Sequence, residues 1–424
     1  MHDYQYLFDL AIILLSTKLF GLLTRRFNMP QVVGALLAGV ILGPAVLGIM
    51  GETAFIKEVA EIGVIVLMFC AGMETDIEEL KNSGKASFII AVAGVLVPIA
   101  GGFAVAYFFN KPGMIESDAA GTAFLQNMFI GVILTATSVS ITVETLKEIG
   151  KLKTSSGNAI LGAAIIDDIL GIIALTIITS MADSSVNIGM VLLKVVGFFA
   201  FAGIAGYLFY KFYASWFEKS GKGMHRHSII VFVFCLAMSY IAEEWFGVAD
   251  ITGAFIAGLI ISCTQKTQYV AAKFDTLSYL MLSPVFFASI GLKVDLPKMN
   301  ATIIIFATVL TIVAVLTKIG GCGLGAKLCK YSNKDCTRIG VGMISRGEVA
   351  LIVASKGAAV GLLGSNFLAP IVIVVLITTI ITPVLLKIVY KDASDVAPIP
   401  AGVGSFAENY EELDAYRKGE KGAE

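Results

Sequence analysis

Residues 34–41 read GALLAGVI, and residues 253–260 read GAFIAGLI. The two octets lie 219 residues apart and agree at every small position. The same shift carries Gly72 and Asp76 onto Gly291 and Asp295, and Gly101 and Gly102 onto Gly320 and Gly321, without a gap. Three matches at one offset are more than an abundance of 43 glycines would produce, so the chain reads as two copies of one unit.

What lies between the copies sets their relative orientation. Of 424 residues, 57% are hydrophobic and 15% charged, where soluble domains average roughly 45–50% and 25%. Such a chain belongs in a bilayer, and its net charge of -1 offers no footprint for nucleic acid. A crossing helix needs about 20 largely apolar residues. Thirteen segments qualify: 5–24, 31–50, 58–73, 86–109, 123–145, 158–180, 190–211, 228–246, 249–263, 276–292, 301–327, 337–361 and 366–389. The third, ninth and tenth are short. The 219-residue shift spans seven segments, an odd number, so the copies face opposite ways across the membrane. The expected fold is an all-α polytopic membrane protein of 13 transmembrane helices with an inverted-topology repeat, helices 1–6 against 8–13. Such repeats place their sites near the midplane, between the halves.

Basic residues orient the bundle, because Lys and Arg in short connections stay on the cytoplasmic side. Seventeen follow odd-numbered segments, from Arg25 to Arg338, and four follow even-numbered ones: Lys57, Lys111, Lys293 and Lys298. The N-terminus is therefore expected outside and the C-terminus inside. No basic stretch or small-residue cleavage site marks the first segment as a removable signal, so it reads as a retained helix. Six cysteines form no CxxC pair and read as packing residues. Residues 391–424 read as a polar cytoplasmic tail.

Against this background the intramembrane charges are costly and informative. AAIIDDILGI at 163–172 places Asp167 and Asp168 near the middle of helix 6. Each ionised side chain there costs about 2.5–3.5 kcal/mol or more. Neighbours on a helix point about 100° apart and cannot share one partner symmetrically. One therefore reads as structural and the other as a ligand. Lys318, in VLTKIGGCG, is nine residues short of the Lys327 that ends its helix, too deep to reach the interface easily, and can pair with one of them. At the other carboxylate a proton and a cation would compete. Two helices also carry poor helix formers at depth: TATSVSIT (135–142) in helix 5 and MISRGEVAL (343–351), with Arg346 and Glu348, in helix 12. If both unwind, freed carbonyls and half-helix dipoles need charged side chains as compensation.

Taken in order, LMFCAGMETD, TATSVSIT, IIDD, the deep Lys318 and GMISRGEVALIVA resemble the monovalent cation/proton antiporter-2 family, in particular its NapA-like sodium/proton antiporters. The likeness covers residues 1 to about 390. It implies an NhaA/NapA-like fold with two interrupted crossing helices, and a homodimer in which a core moves like an elevator against a scaffold. Residues 1–80 and 228–299 would form the scaffold, 86–182 and 301–390 the core, and 190–211 the linker helix. By the same resemblance Asp168 carries Na+ or H+, and Asp167 pairs with Lys318 in the proton-loaded state. Thr137 and Ser138 would line the site, with Arg346 and Glu348 stabilising the crossing. The implied activity is electrogenic exchange of Na+ or Li+ for H+ across a prokaryotic inner membrane, without a cofactor.

Other readings are carried alongside. Potassium/proton exchange, or a Kef-like potassium efflux protein, shares this architecture. An intramembrane aspartyl protease needs two carboxylates on different helices facing a gap, and a prenyl transferase needs separated acidic clusters; the adjacent pair suits neither. Arg346 and Glu348 suit a structural charge network better than an ion site. Lys18 and Glu61 read as snorkelling residues. His2, His225 and His227 fall outside the expected spans, and Lys356 has no assigned role.

Overall fold

The computed structural model describes residues 4–27, 29–75, 77–115, 117–182, 188–219, 224–264, 267–294 and 300–391. The expected tail, residues 392–424, and the matched Asp76 and Asp295 lie outside them. One unit comprises residues up to Val389; of the second, Tyr390 and Lys391 are described.

Among the described residues all regular structure is helical. The elements are α1 (Gln5–Arg26), α2 (Gln31–Leu42), α3 (Ala54–Glu74), α4 (Ile77–Phe109), α5 (Ala123–Ile133), α6 (Val139–Glu148), α7 (Ser155–Ala182) and α8 (Ile188–Lys219). There follow α9 (Met224–Tyr240), α10 (Asp250–Ser262), α11 (Thr267–Leu277), α12 (Ser283–Leu292), α13 (Ala301–Leu328), α14 (Asn333–Gly342), α15 (Gly347–Ala359) and α16 (Ser365–Val389). Wider π-helical turns extend α9 over 241–245 and join α11 to α12 over 278–282.

Each of the thirteen apolar segments contains helix, but not one uniform rod each, and the second, expected over 31–50, is helical only to Leu42. Among the described residues, eight helical stretches are long and apolar enough to cross a membrane: 5–26, 83–109, 155–181, 188–213, 227–245, 267–292, 301–328 and 366–389. The tenth segment begins nine residues before its expected start, and α4 begins at Ile77 rather than 86. Both extensions are helical with mixed polarity (TQYVAAKFDTL and IEELKNSGK), so an apolar window misses them while backbone hydrogen bonding does not. α2 and α10 are short, and α3 carries Lys57, Glu58, Glu61 and Glu74. The fifth and twelfth segments are each broken in two.

Glycine sets the closest helix approaches. Gly39 of α2 leaves no room for a Cβ against the Ala288 carbonyl of α12, and Gly258 of α10 leaves none against the Phe69 carbonyl of α3. Gly72 meets the Phe255 carbonyl in the same way, and Gly291 meets that of Leu36. Every residue in the first of these contacts maps onto its counterpart in the second by the 219-residue shift, and likewise in the other two. α2 on α12 is thus the same packing as α10 on α3.

Two buried clusters among the described residues draw on different parts of the chain. The larger, around Phe129, Phe306 and Phe367, draws its buried members from 105–178 and 306–375. The smaller gathers Ile13, Ile56, Val285 and Leu292 from α1, α3 and α12.

Candidate functional site

The site forms where α7 and α13 face the two breaks. α7 presents small and apolar residues up to Ile166, so it stays a continuous helix and packs against α4. Asp167 follows on its buried face, 2% exposed. Lys318, midway along α13 and 0% exposed, sets its Nζ 3.0 Å from both carboxylate oxygens. Thr137 Oγ1 donates to Asp167 Oδ2 at 2.7 Å. An ion pair this dry is held only if its lone pairs are met by further hydrogen bonds, and Thr137 supplies one.

The fourth wall is a residue that motif reading passed over. Gly94 of α4 is so close that a Cβ there would lie 2.6 Å from Cys322 Sγ, 3.7 Å from Asp167 Oδ1 and 3.8 Å from Lys318 Nζ. Its sequence signal is Pro98, which has no N–H to give the Gly94 carbonyl one turn back. Asp168, the next residue, is half-buried where its neighbour is sealed. The two adjacent carboxylates thus occupy different surroundings.

Thr137 reaches Asp167 because helix 5 stops at Ile133 and resumes at Val139. Helix 12 stops at Gly342 and resumes at Gly347. The breaks cross: the Ser138 N–H donates to the Ser345 carbonyl at 2.7 Å, and Thr142 Oγ1 donates to the Gly342 carbonyl at 2.7 Å. Ser138 is fully buried at this contact, its hydroxyl 3.2 Å from that of Ser140. Gly347 adopts φ +50, and a Cβ there would lie 2.5 Å from Ser138 Oγ, so glycine is required on both counts. Its N–H, the first of α15, donates to Thr379 Oγ1 of α16 at 3.3 Å.

Arg346 is 0% exposed and spends its guanidinium on the breaks. Nη1 donates to the Ile344 carbonyl at 2.6 Å, and Nη2 to those of Leu134 at 2.9 Å and Ala314 at 3.0 Å. Leu134 and Ile344 belong to the ends of α5 and α14, where carbonyls lose their intrahelical donors. Arg346 therefore neutralises two C-terminal dipoles and ties both to α13. Glu348 begins the first turn of α15; its side chain lies outside the described residues. Lys356 is exposed in the last turn of α15, where a cation suits the dipole. Lys18 bonds the Tyr279 hydroxyl, and exposed Glu61 pairs with Lys57. No cluster of three or more metal-ligating side chains occurs among the described residues.

A family model described as the transmembrane sodium/hydrogen exchanger matches residues 11–391. The chain belongs to that exchanger family. Among the exchanger's relatives, the Na(+)/H(+)-K(+) antiporter GerN of Bacillus cereus is 40% identical over 388 residues, covering 91% of this chain and 96% of that one. The Na(+)/H(+) antiporter of Enterococcus hirae is 37% identical over 390 residues, 90% and 97% of the two chains. The sodium proton antiporter MjNhaP1 of Methanocaldococcus jannaschii has the same fold, with TM-score 0.67 at 18% identity over 92% of this chain and 98% of its own. These proteins are antiporters, and the enzyme readings are set aside. The exchanger is a multi-pass membrane protein.

Proposed function

We propose that this exchanger moves Na+ against H+, with Asp168 binding one or the other. The carrying observation is the contrast between neighbours on one helix: Asp167 is sealed against Lys318 and Thr137, and Asp168 is half-buried. Charge bookkeeping supports an electrogenic cycle. With Na+ on Asp168, Asp167 ionised and Lys318 neutral, these two acids, Lys318, Arg346 and the ion sum to zero. Proton uptake by Asp168 and by Lys318, which then pairs with Asp167, releases the ion and leaves one positive charge, so one charge crosses per exchange.

The remaining expectations form one scheme. The contacts repeated at offset 219 support an inverted repeat of thirteen spans. The two buried clusters, confined to the expected core and scaffold ranges, support a core that slides as an elevator on its scaffold. The positive-inside count supports an outside N-terminus in a prokaryotic inner membrane, and the resemblance supports a homodimer. The name of GerN includes K+, so potassium exchange is the second reading.

The test is a pH-dye assay in proteoliposomes, with Na+, Li+ and K+ added in turn. The wild type should dequench the dye with Na+, and Asp168→Asn should abolish the signal, because an amide can neither release a proton nor balance a cation. Full dequenching by the variant removes Asp168 from the mechanism.

A further inference from the structure

The last turn of α6 reaches out of the core on two sides. Lys147 Nζ lies 3.0 Å from Glu74 Oε1, at the end of α3, and bonds Asp275 of α11. Both acids belong to the expected scaffold, and all three side chains are partly buried, 21–30% exposed. Glu148, the next residue, accepts the Gln31 N–H with both carboxylate oxygens, at 2.7 and 2.8 Å. That N–H opens α2, another scaffold helix, where an anion also suits the dipole. Two consecutive residues of opposite charge thus grip three scaffold helices.

The outer halves of the broken helices do not share this grip. α6 packs on the scaffold helices α2 and α3 as well as on α16 and α7, whereas α5 packs on α4 and α7, and α15 on α16 and α5. The ion-paired seam lies on the side that receives most basic residues.

We propose that Lys147 and Glu148 form a two-point lock that shuts the seam between core and scaffold on the cytoplasmic side. It must release each time the site turns toward the cytoplasm. Nothing in the transport chemistry requires these charges, since neither residue reaches Asp167 or Lys318. They suit a catch that resists opening and can be broken: partly exposed ion pairs each contribute little and exchange readily with water. The inference rests on the elevator reading above.

The test links the two sides. With exposed Cys263 replaced by serine, Glu74→Cys and Lys147→Cys are joined by a short bifunctional, reducible thiol reagent. The linked protein should still bind Na+, read as a thermal shift, yet exchange nothing, and reductant should restore exchange. In uncoupled form, Lys147→Gln should lower the KM for Na+ offered from the cytoplasmic face about three- to tenfold and raise it from the outer face, the size expected for losing two partly exposed pairs. Exchange by the linked protein at the unlinked rate overturns the lock, as does an unchanged KM at both faces for Lys147→Gln. In either case a wild type that exchanges normally leaves the antiporter reading standing. A wild type that exchanges nothing overturns both.

Discussion

Replacing Lys318 by glutamine, alone and together with Asp167→Asn, measures what holds the site together. Two unit charges about 3.5 Å apart at an effective permittivity of about 20 attract by about 5 kcal/mol. Desolvation offsets part of that, and removing one member of a buried pair costs about 3–5 kcal/mol, largely because the other is stranded. Thr137 still donates to Asp167 in the lysine variant, and a hydrogen bond to a charged group contributes about 1.5–3 kcal/mol. Each single variant should therefore lose about 3 kcal/mol. The double variant strands no charge and leaves two amides of similar shape, so it should lose no more than either single. The coupling is then about 3 kcal/mol. Equilibrium unfolding of the four proteins in mixed micelles reads it directly. Costs that add to within about 0.5 kcal/mol would refute the reasoning, since independent sites behave that way.

Three further outcomes follow from the crossing and its wall. Gly347→Ala should destabilise by about 1–3 kcal/mol, through its positive φ and the crowding of Ser138; Ser138→Gly in the same chain should recover part of the loss in an unfolding assay. Arg346→Lys keeps the charge but cannot span the Ile344, Leu134 and Ala314 carbonyls together. Leaving one or two of these buried acceptors unmet should cost about 2–4 kcal/mol in the same assay. Gly94→Ala drives a methyl into Cys322 Sγ and should lower both stability and exchange, with Cys322→Ala restoring them in proteoliposomes.

Much of this was readable from residue types. TATSVSIT and MISRGEVAL announce breaks because β-branched and hydroxyl residues, glycine and a buried charge all disfavour a continuous helix there. The deep Lys318 and the two acids announce a pair because no other arrangement repays their burial. The sequence could not say which acid takes the lysine without the resemblance, since a 100° rotation has no signature in composition. The polar beginnings of α4 and α11 were missed because membrane length was judged by apolarity, and helices continue past the bilayer. Gly94 was hidden among the chain's other glycines, although Pro98 marked it. The α6 lock was invisible for another reason: Lys147 and Glu148 look like an ordinary solvated helix end until α2, α3 and α11 are placed beside them.

The crossing also decides what kind of ligand can hold a cation. Unwound helices offer carbonyl ends of negative dipoles, and such carbonyls can coordinate a cation without any acid. Here the carbonyls of Leu134 and Ile344 are already engaged by one buried guanidinium. A sodium ion drawn to them would meet Arg346 first. The facing termini, those of α6 and α15, carry the opposite partial charge and repel cations as well. Asp167 is likewise engaged, by Lys318 and Thr137. The half-helix ends therefore make the crossing hostile to a bare cation, which supports a carboxylate, in our proposal Asp168, as the source of the attraction. On this field argument the loss of Asp168 cannot be rescued by the backbone, and a variant such as Asp168→Glu, which keeps the charge and shifts it outward by one methylene, should retain exchange with altered cation preference, whereas asparagine retains none.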